Sequence, residues 1–125
     1  MEDIKTGEVS ARPPFMPLVY ICSPYSGDVE ANTERTKQFC RFAYEHGQIP
    51  LAPHLMFPQF LSDDNEEERS TALFMDIVLM GKCQELWVLG DRISAGMSIE
   101  IDKAVKRRQR VRYFNSRFEE VESLA

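Results

Sequence analysis

The segment that decides the fold reads Glu85-Leu86-Trp87-Val88-Leu89-Gly90-Asp91-Arg92-Ile93-Ser94-Ala95-Gly96-Met97-Ser98-Ile99-Glu100-Ile101. Its apolar run at residues 86–89 is typical of a buried strand. A loop with glycine and serine follows, and then a helix begins. Glu100 lies within the first two turns of this helix, where the helix dipole favours an ionised carboxylate by about 0.3–1 kcal/mol and free N–H groups bind anions. Glu100 is therefore either a helix-stabilising residue or a reactive carboxylate beside an anion site.

Size and charge exclude several classes of protein. The 125 residues are enough for one domain, and a formal net charge of −5 gives no basic surface for nucleic acid. The three cysteines lack CxxC or Cys/His metal spacing, which indicates reduced thiols and a cytoplasmic location. No apolar stretch is long enough to span a membrane. Residues 1–17 lack the apolar core of a secretory signal, so we expect a flexible N-terminal leader followed by a single domain at 18–125.

Strands and helices are predicted to alternate along the chain. Strands are expected at residues 18–22, 48–52, 86–89 and 111–114, helices at 32–46, at 71–80 and around Glu100, an acidic loop at 62–69, and a short helix in the tail at 116–125. This order predicts an α/β fold of the flavodoxin/Rossmann-like type, with a parallel sheet of four to five strands and helices on both faces. The first strand is expected in the centre, between the second and third strands. Pro50 places the second strand at an edge.

Two turns are expected to meet at one end of this sheet. Ligands of such folds bind at the carboxyl ends of the strands where the chain reverses direction, here residues 23–28 and 90–98. Serines offer hydroxyl donors, and glycine permits close approach of a ligand. The substrate-binding candidates are Ser23, Tyr25, Ser26, Gly27, His54, Ser94, Gly96 and Ser98. Alternatives remain open: a serine that only caps the helix, a plain turn at 23–27, and a structural histidine.

Asp76 is the second unusual carboxylate, because it lies within an apolar helical segment. Burying a carboxylate is costly unless it has a partner or faces a polar cavity. Asp76 either lies on a solvated stripe of that helix or faces the crevice that contains Glu100, and we favour the crevice. Two carboxyls in one crevice are the usual arrangement for cleavage of glycosidic bonds.

Other residues near these turns are assigned to packing. Tyr20 and Cys22 share one face of the first strand, and Tyr20 is expected in the core. Cys22 is a weak nucleophile candidate, because nothing nearby in the sequence would activate it. Three apolar residues after the second strand, Met56, Phe57 and Phe60, would pack in the core or flank a flat base, and packing is favoured.

The motifs at residues 19–27, at Asp76 and at residues 94–100 together resemble the nucleoside 2-deoxyribosyltransferase-like superfamily, which includes deoxynucleoside 5'-monophosphate N-glycosidases. The resemblance implies that Glu100 attacks the anomeric carbon. Asp76 would position the sugar or handle the proton of the departing base. Residues 23–27 would line the sugar or phosphate end.

Two positions depart from the pattern of the superfamily. Ser23 stands where the family often has glycine, which narrows access to the backbone. Ser94 stands where the transferases usually have aspartate, and a serine here looks more like the nucleotide hydrolases, in which it contacts the 5'-phosphate. The serine at position 94 favours a monophosphate substrate. The arginine that the hydrolases often carry in their second turn is missing from this chain, which is a departure from the hydrolases.

The sequence therefore predicts an enzyme that cleaves the N-glycosidic bond of a (deoxy)nucleoside or its 5'-monophosphate, by hydrolysis or base transfer. No metal or organic cofactor, nucleic acid or membrane is implied. A homodimer or higher homo-oligomer is expected, because the helix at 71–80 is apolar on more than one face. Two rivals remain: a ribonucleotide phosphoribohydrolase, whose Gly-Gly-x-Gly-Thr loop is absent, and a non-catalytic nucleotide-binding or sensing domain.

Overall fold

The computed structural model describes residues 14–123, which form a five-stranded sheet flanked by helices. The strands are β1 (Leu18–Cys22), β2 (Ile49–Leu51), β3 (Glu85–Leu89), β4 (Arg110–Phe114) and β5 (Glu120–Val121). The α-helices are α1 (Val29–Glu45), α2 (Glu66–Met80) and α3 (Ala95–Lys106), and two short 3-10 helices occupy Pro53–Leu55 and Phe57–Gln59.

The strand order is β2-β1-β3-β4-β5. The first four strands are parallel and β5 is antiparallel to β4. This confirms the predicted α/β class, the inner position of β1 and the edge position of β2. The chain reverses direction between β1 and β3. Cys22, the last residue of β1, pairs with Val88, one residue before the end of β3. The two predicted turns therefore leave the sheet side by side.

Helices cover both faces of the sheet, because successive strand residues point to opposite sides. On one face, Val19 and Ile21 pack with Phe39 of α1 and with the aromatic rings of Trp87 and Phe114. The opposite face packs against α2 and α3, and its buried members include Tyr20, Cys22, Met80, Leu86, Val88, Met97 and Ala104. The side chains of Tyr20 and Cys22 are thus directed toward α3.

Helix α2 begins earlier than the sequence predicted. The expected loop at residues 62–69 gives way to helix from Glu66, with Asn65 as N-cap accepting a hydrogen bond from the Glu68 amide at 3.0 Å. Three glutamates occupy its first turn, where negative charge is stabilised by the helix dipole. The acidic residues that suggested an exposed loop therefore stabilise a helix start. Helix α1 also begins earlier than expected, at Val29, with Asp28 as its N-cap.

The tail forms a strand and not the predicted helix. Asn115 closes a turn by accepting hydrogen bonds from the backbone amides of Arg117 and Glu119. The Arg112 guanidinium then donates to both carboxylate oxygens of Glu120, at 2.9 and 2.7 Å. The turn and this bidentate ion pair thus hold the tail along the free edge of β4.

The remaining predictions about the chain concern its thiols, its N-terminus and membranes. Cys22, Cys40 and Cys83 are free, as expected. The predicted leader lies outside the described residues as far as residue 13, and its last residue, Pro17, accepts a hydrogen bond from the Ile49 amide at 2.8 Å. Within residues 14–123, no helix has the length and apolar character needed to cross a membrane.

Candidate active site

Glu100 lies in the second turn of α3, and its side chain is directed at strand β1. The residue is 2% exposed. The Tyr20 hydroxyl donates to Glu100 Oε2 at 2.5 Å, and the Cys22 thiol donates to Oε1 at 3.4 Å. Both carboxylate oxygens are therefore held by side chains of β1, and the carboxylate has a fixed orientation.

Burial controls the ionisation of Glu100. Loss of water raises the pKa of Glu100, although the hydrogen bonds from Tyr20 and Cys22 act in the opposite direction. Its position near a helix start was expected to favour the ionised form and so to lower the pKa of Glu100. The net shift of this pKa is upward instead. The dipole effect is at most about 1 kcal/mol at exposed sites and is exceeded by the cost of desolvation. Burial also raises the pKa values of Tyr20 and Cys22, which keeps both as hydrogen-bond donors.

Asp76 projects from α2 into the same crevice, as the sequence predicted. It is 5% exposed, and donor atoms of His54, Asp76 and Glu100 all lie within 4.8 Å of one another. Asp76 Oδ1 is buried without a hydrogen-bond partner among the described residues. Desolvation and the neighbouring Glu100 raise the pKa of Asp76 to about 8.

The two carboxyls share a proton unequally. Two buried carboxylates this close cannot both ionise without strong repulsion. Glu100 accepts two hydrogen bonds, whereas Asp76 Oδ1 accepts none. A single proton on the pair is therefore held mainly by Asp76, which leaves the charge on Glu100. Two carboxyls with such different surroundings suit a nucleophile and a general acid.

Most of the predicted substrate-binding residues line one cavity of about 520 Å³ beside this pair. Those in its wall are Ser23, Tyr25, Ser26, His54, Ser94 and Gly96. Two predictions are wrong in placement, because Gly27 and Ser98 do not line it. Ser98 precedes Glu100 by two residues, a rotation of about 200° around the helix, so it lies on the exposed side. Gly27 lies at an exposed turn with φ +101°, where an added Cβ would meet Arg92 and not the cavity.

The serines in the wall have specific partners. Ser94 is the N-cap of α3, and its hydroxyl accepts from the Met97 amide at 3.3 Å, so its own proton remains free to donate. Ser23 is buried, and its hydroxyl lies 2.8 Å from that of Thr36. Since Thr36 donates to the Asn32 carbonyl, Ser23 donates to Thr36 and offers only lone pairs to a ligand.

A pair of stacked rings forms another part of the wall. The rings of Tyr25 and His54 lie 5.4 Å apart, with 12° between their planes. Desolvation lowers the pKa of His54, so its imidazole is neutral at physiological pH. This pair presents flat surfaces and a neutral ring nitrogen to the cavity.

Sequence reasoning missed several residues of the site. Tyr20 was assigned to packing, although the shared strand face of Tyr20 and Cys22 already placed both toward α3. Arg69 was assigned to a loop and lines the cavity rim. Had the helix been predicted to begin at Glu66, Arg69 and Leu73 would have been four residues apart on the same helix face, and both line the cavity.

The assignment of the three apolar residues after β2 was only partly right. Phe57 is buried, as the packing assignment predicted, and it also lines the cavity. Its contact with a flat base stays a prediction. Met56 and Phe60 are exposed and do not line the cavity. They therefore neither pack in the core nor flank a ligand there.

Comparison with known proteins identifies a family and a fold. A family model described as "Domain of unknown function (DUF7768)" matches residues 17–114, and the chain belongs to this family. No curated protein matches the sequence. Among solved structures, a 2-deoxyribosyltransferase from the psychrotolerant bacterium Bacillus psychrosaccharolyticus is similar at a TM-score of 0.61 and 16% identity, over 86% of this chain and 77% of that chain. The two proteins share a fold.

The raised pKa of Asp76 predicts a stability that falls with pH. The folded carboxyl holds its proton to about pH 8, whereas an unfolded aspartate loses it near pH 4, so the stabilisation is present at low pH and is lost as pH rises toward 8. Asp76→Asn cannot ionise. Between about pH 5 and 8, the wild type should lose on the order of 2 kcal/mol more stability than this variant in urea unfolding. Asp64→Asn, at an exposed turn, is the control and should keep the wild-type pH dependence; parallel curves for all three proteins would contradict the prediction.

Proposed function

We propose that this member of the DUF7768 family cleaves the N-glycosidic bond of a (deoxy)nucleoside or its 5'-monophosphate, with Glu100 as the nucleophile. The main support for this proposal is the environment of Glu100. This buried glutamate accepts a hydrogen bond at each oxygen and lies beside the Asp76 carboxyl, in a cavity where the chain reverses direction across the sheet. The shared fold with a 2-deoxyribosyltransferase supports the same class of reaction. The motif resemblance at residues 19–27, Asp76 and 94–100 points to the same chemistry.

The reaction divides the work between the two carboxyls. A Glu100 oxygen attacks the anomeric carbon, and the bond from that carbon to the base nitrogen breaks with its electron pair going to the base. Asp76 donates its proton to the departing base. Water or a second base then gives a proton to the Asp76 carboxylate and attacks the anomeric carbon, and the Glu100 carboxylate leaves as the ester bond breaks. Tyr20 is a positioning residue, because it holds the carboxylate without reaching the substrate.

The distance between the carboxyls favours a covalent route. Donor oxygens of Asp76 and Glu100 lie within 4.8 Å of each other. In glycosidases, direct displacement by water needs carboxyls roughly 6.5–9.5 Å apart, whereas covalent catalysis uses about 5–5.5 Å. The upper limit of 4.8 Å here is closer to the spacing of covalent catalysis than to that of direct displacement.

The walls of the cavity supply candidate contacts for the rest of the substrate. The stacked rings of Tyr25 and His54, with Phe57 nearby, suit a planar base. Ser94 stands at the start of α3, where free backbone amides favour an anion such as a 5'-phosphate. Arg69 at the rim adds a positive charge that the sequence interpretation had not included.

The decisive variant is Glu100→Gln, which keeps the shape of the side chain but cannot form the glycosyl ester. We expect turnover to fall by at least tenfold, with folding and ligand affinity retained. Release of free base from a panel of nucleosides and monophosphates, followed by chromatography, measures it. Glu67→Gln, exposed in the first turn of α2, is the control. A variant that keeps more than about a tenth of the wild-type rate would exclude the nucleophile role, and wild-type ligand binding without base release would favour a sensing domain.

A second variant tests the phosphate position. Ser94→Ala should weaken the use of monophosphates by roughly tenfold and of nucleosides much less, because a hydroxyl donor to the phosphate is lost. Ser98→Ala, one turn along the same helix and outside the cavity, should leave both substrates unaffected. Rates of base release from matched nucleoside and monophosphate pairs measure the effect. Equal losses on both substrates would show that Ser94 serves only as the helix cap.

We also propose that the chain forms a homo-oligomer through the outer sides of α2 and α3. Phe74 is 68% exposed and Val78 47% exposed on α2, and Val105 is 58% exposed on α3. Exposed apolar side chains on neighbouring helices favour association. Light scattering at micromolar concentration should give at least the mass of a dimer, and Phe74→Glu should reduce it toward the monomer. A monomeric wild type would refute the proposal.

A further inference from the structure

Three metal-binding groups converge at the cavity floor. His54, Asp76 and Glu100 each present a donor atom, and these atoms lie within 4.8 Å of one another. Asp76 Oδ1 is buried and has no hydrogen-bond partner within residues 14–123. The ring of His54 is held by stacking on Tyr25, with no hydrogen bond to the described part of the chain. The donor set therefore includes an unsatisfied buried oxygen and a ring nitrogen that is free to bind.

Side-chain movements can bring the three donors to the spacing that an ion requires. Zinc binds histidine nitrogen and carboxylate oxygen at about 2.0–2.2 Å in tetrahedral geometry, so two such donors lie roughly 3.3–3.6 Å apart. From the observed limit of 4.8 Å, the donors must approach by up to about 1.5 Å. Asp76 Oδ1 has no hydrogen-bond partner among the described residues that would oppose this movement.

Charge and donor chemistry also suit a divalent cation. No ion pair within the described residues involves Asp76 or Glu100, so the negative charge of the pair is not neutralised by a side chain. One imidazole and two carboxylates, without a thiolate, suit zinc, manganese, iron(II) or cobalt(II) better than a soft ion. The open side of the cavity leaves positions for water on the ion.

We propose that a divalent first-row transition ion of the Zn²⁺ type binds to His54, Asp76 and Glu100 and acts as an inhibitor. An ion on Glu100 occupies the electron pair that would attack the anomeric carbon, and it fills the place of the sugar. Metal and substrate therefore exclude each other. The inhibition rests on the proposed function, whereas the binding does not.

Binding is tested with the metal alone on purified, tag-free, full-length protein. Zn²⁺ calorimetry should give one site per chain, and Co²⁺ should give the absorption of a site with fewer than six ligands. His54→Ala and Asp76→Asn should each weaken affinity by roughly tenfold or more. His46→Ala is the matched control, since His46 is the other histidine of the chain and lies exposed at the end of α1.

The outcomes separate the site from its alternatives. Circular dichroism establishes that each variant is folded, and His54→Gln replaces a variant that is not. No binding by the wild type, or unchanged affinity in both folded variants, overturns the proposal. Loss of binding in His46→Ala alone would place the metal at α1 and would also overturn it.

Kinetics test the inhibition separately. Zn²⁺ should raise the KM for the nucleoside or monophosphate and leave kcat unchanged, and chelation should reverse the effect. Metal binding with base release unaffected by Zn²⁺ overturns the inhibitory role. Metal binding in a protein that releases no base from any substrate leaves the site standing and refutes the proposed function alone.

Discussion

The hydrogen bond from the Tyr20 hydroxyl to Glu100 is the contact on which the site depends. It joins the inner strand β1 to helix α3, across 80 residues of sequence. A buried carboxyl without partners would cost several kcal/mol, and Tyr20 and Cys22 supply the donors that make its burial tolerable. The bond forms only because β1 and β3 are parallel neighbours, so that the helix leaving β3 passes over the face of β1 that carries Tyr20.

The same burial gives the two carboxyls different chemistry. Glu100 has donors on both oxygens, whereas Asp76 Oδ1 has none, so one proton between them rests mainly on Asp76. The two side chains come from regular helices and not from flexible loops, which fixes their separation. Two carboxyls at a fixed, short separation are consistent with the proposed covalent glycosyl transfer, in which Glu100 is the nucleophile and Asp76 the proton donor.

The sequence predicted the fold more completely than the site. The order of strands and helices follows from local apolar runs. The position of Asp76 was predicted correctly because burying a carboxylate in apolar surroundings is costly, so that it must face either solvent or a polar cavity. Tyr20 was missed because a tyrosine in an apolar strand is indistinguishable from a core residue until its hydroxyl's distant partner is known. The direction of the pKa shift of Glu100 was misjudged because helix position is local, whereas burial depends on the whole fold. Ser98 was misplaced because spacing along the chain does not give rotation around a helix unless the helix start is known.

The position of Glu100 along α3 also limits the repulsion between its carboxylate and a phosphate of the proposed substrate. A phosphate bound at the start of α3 would repel a carboxylate beside it. Glu100 lies six residues beyond the N-cap Ser94, which corresponds to about 9 Å along the helix axis. A nucleotide's 5'-phosphate is separated from its anomeric carbon by several bonds, so the amides and the Ser94 hydroxyl can hold the phosphate while the carboxylate reaches the sugar. In the proposed reaction, one helix thereby offers free amides to the phosphate at its first turn and the buried Glu100 carboxylate to the sugar in its second. The sheet, through Tyr20, fixes the position of that carboxylate.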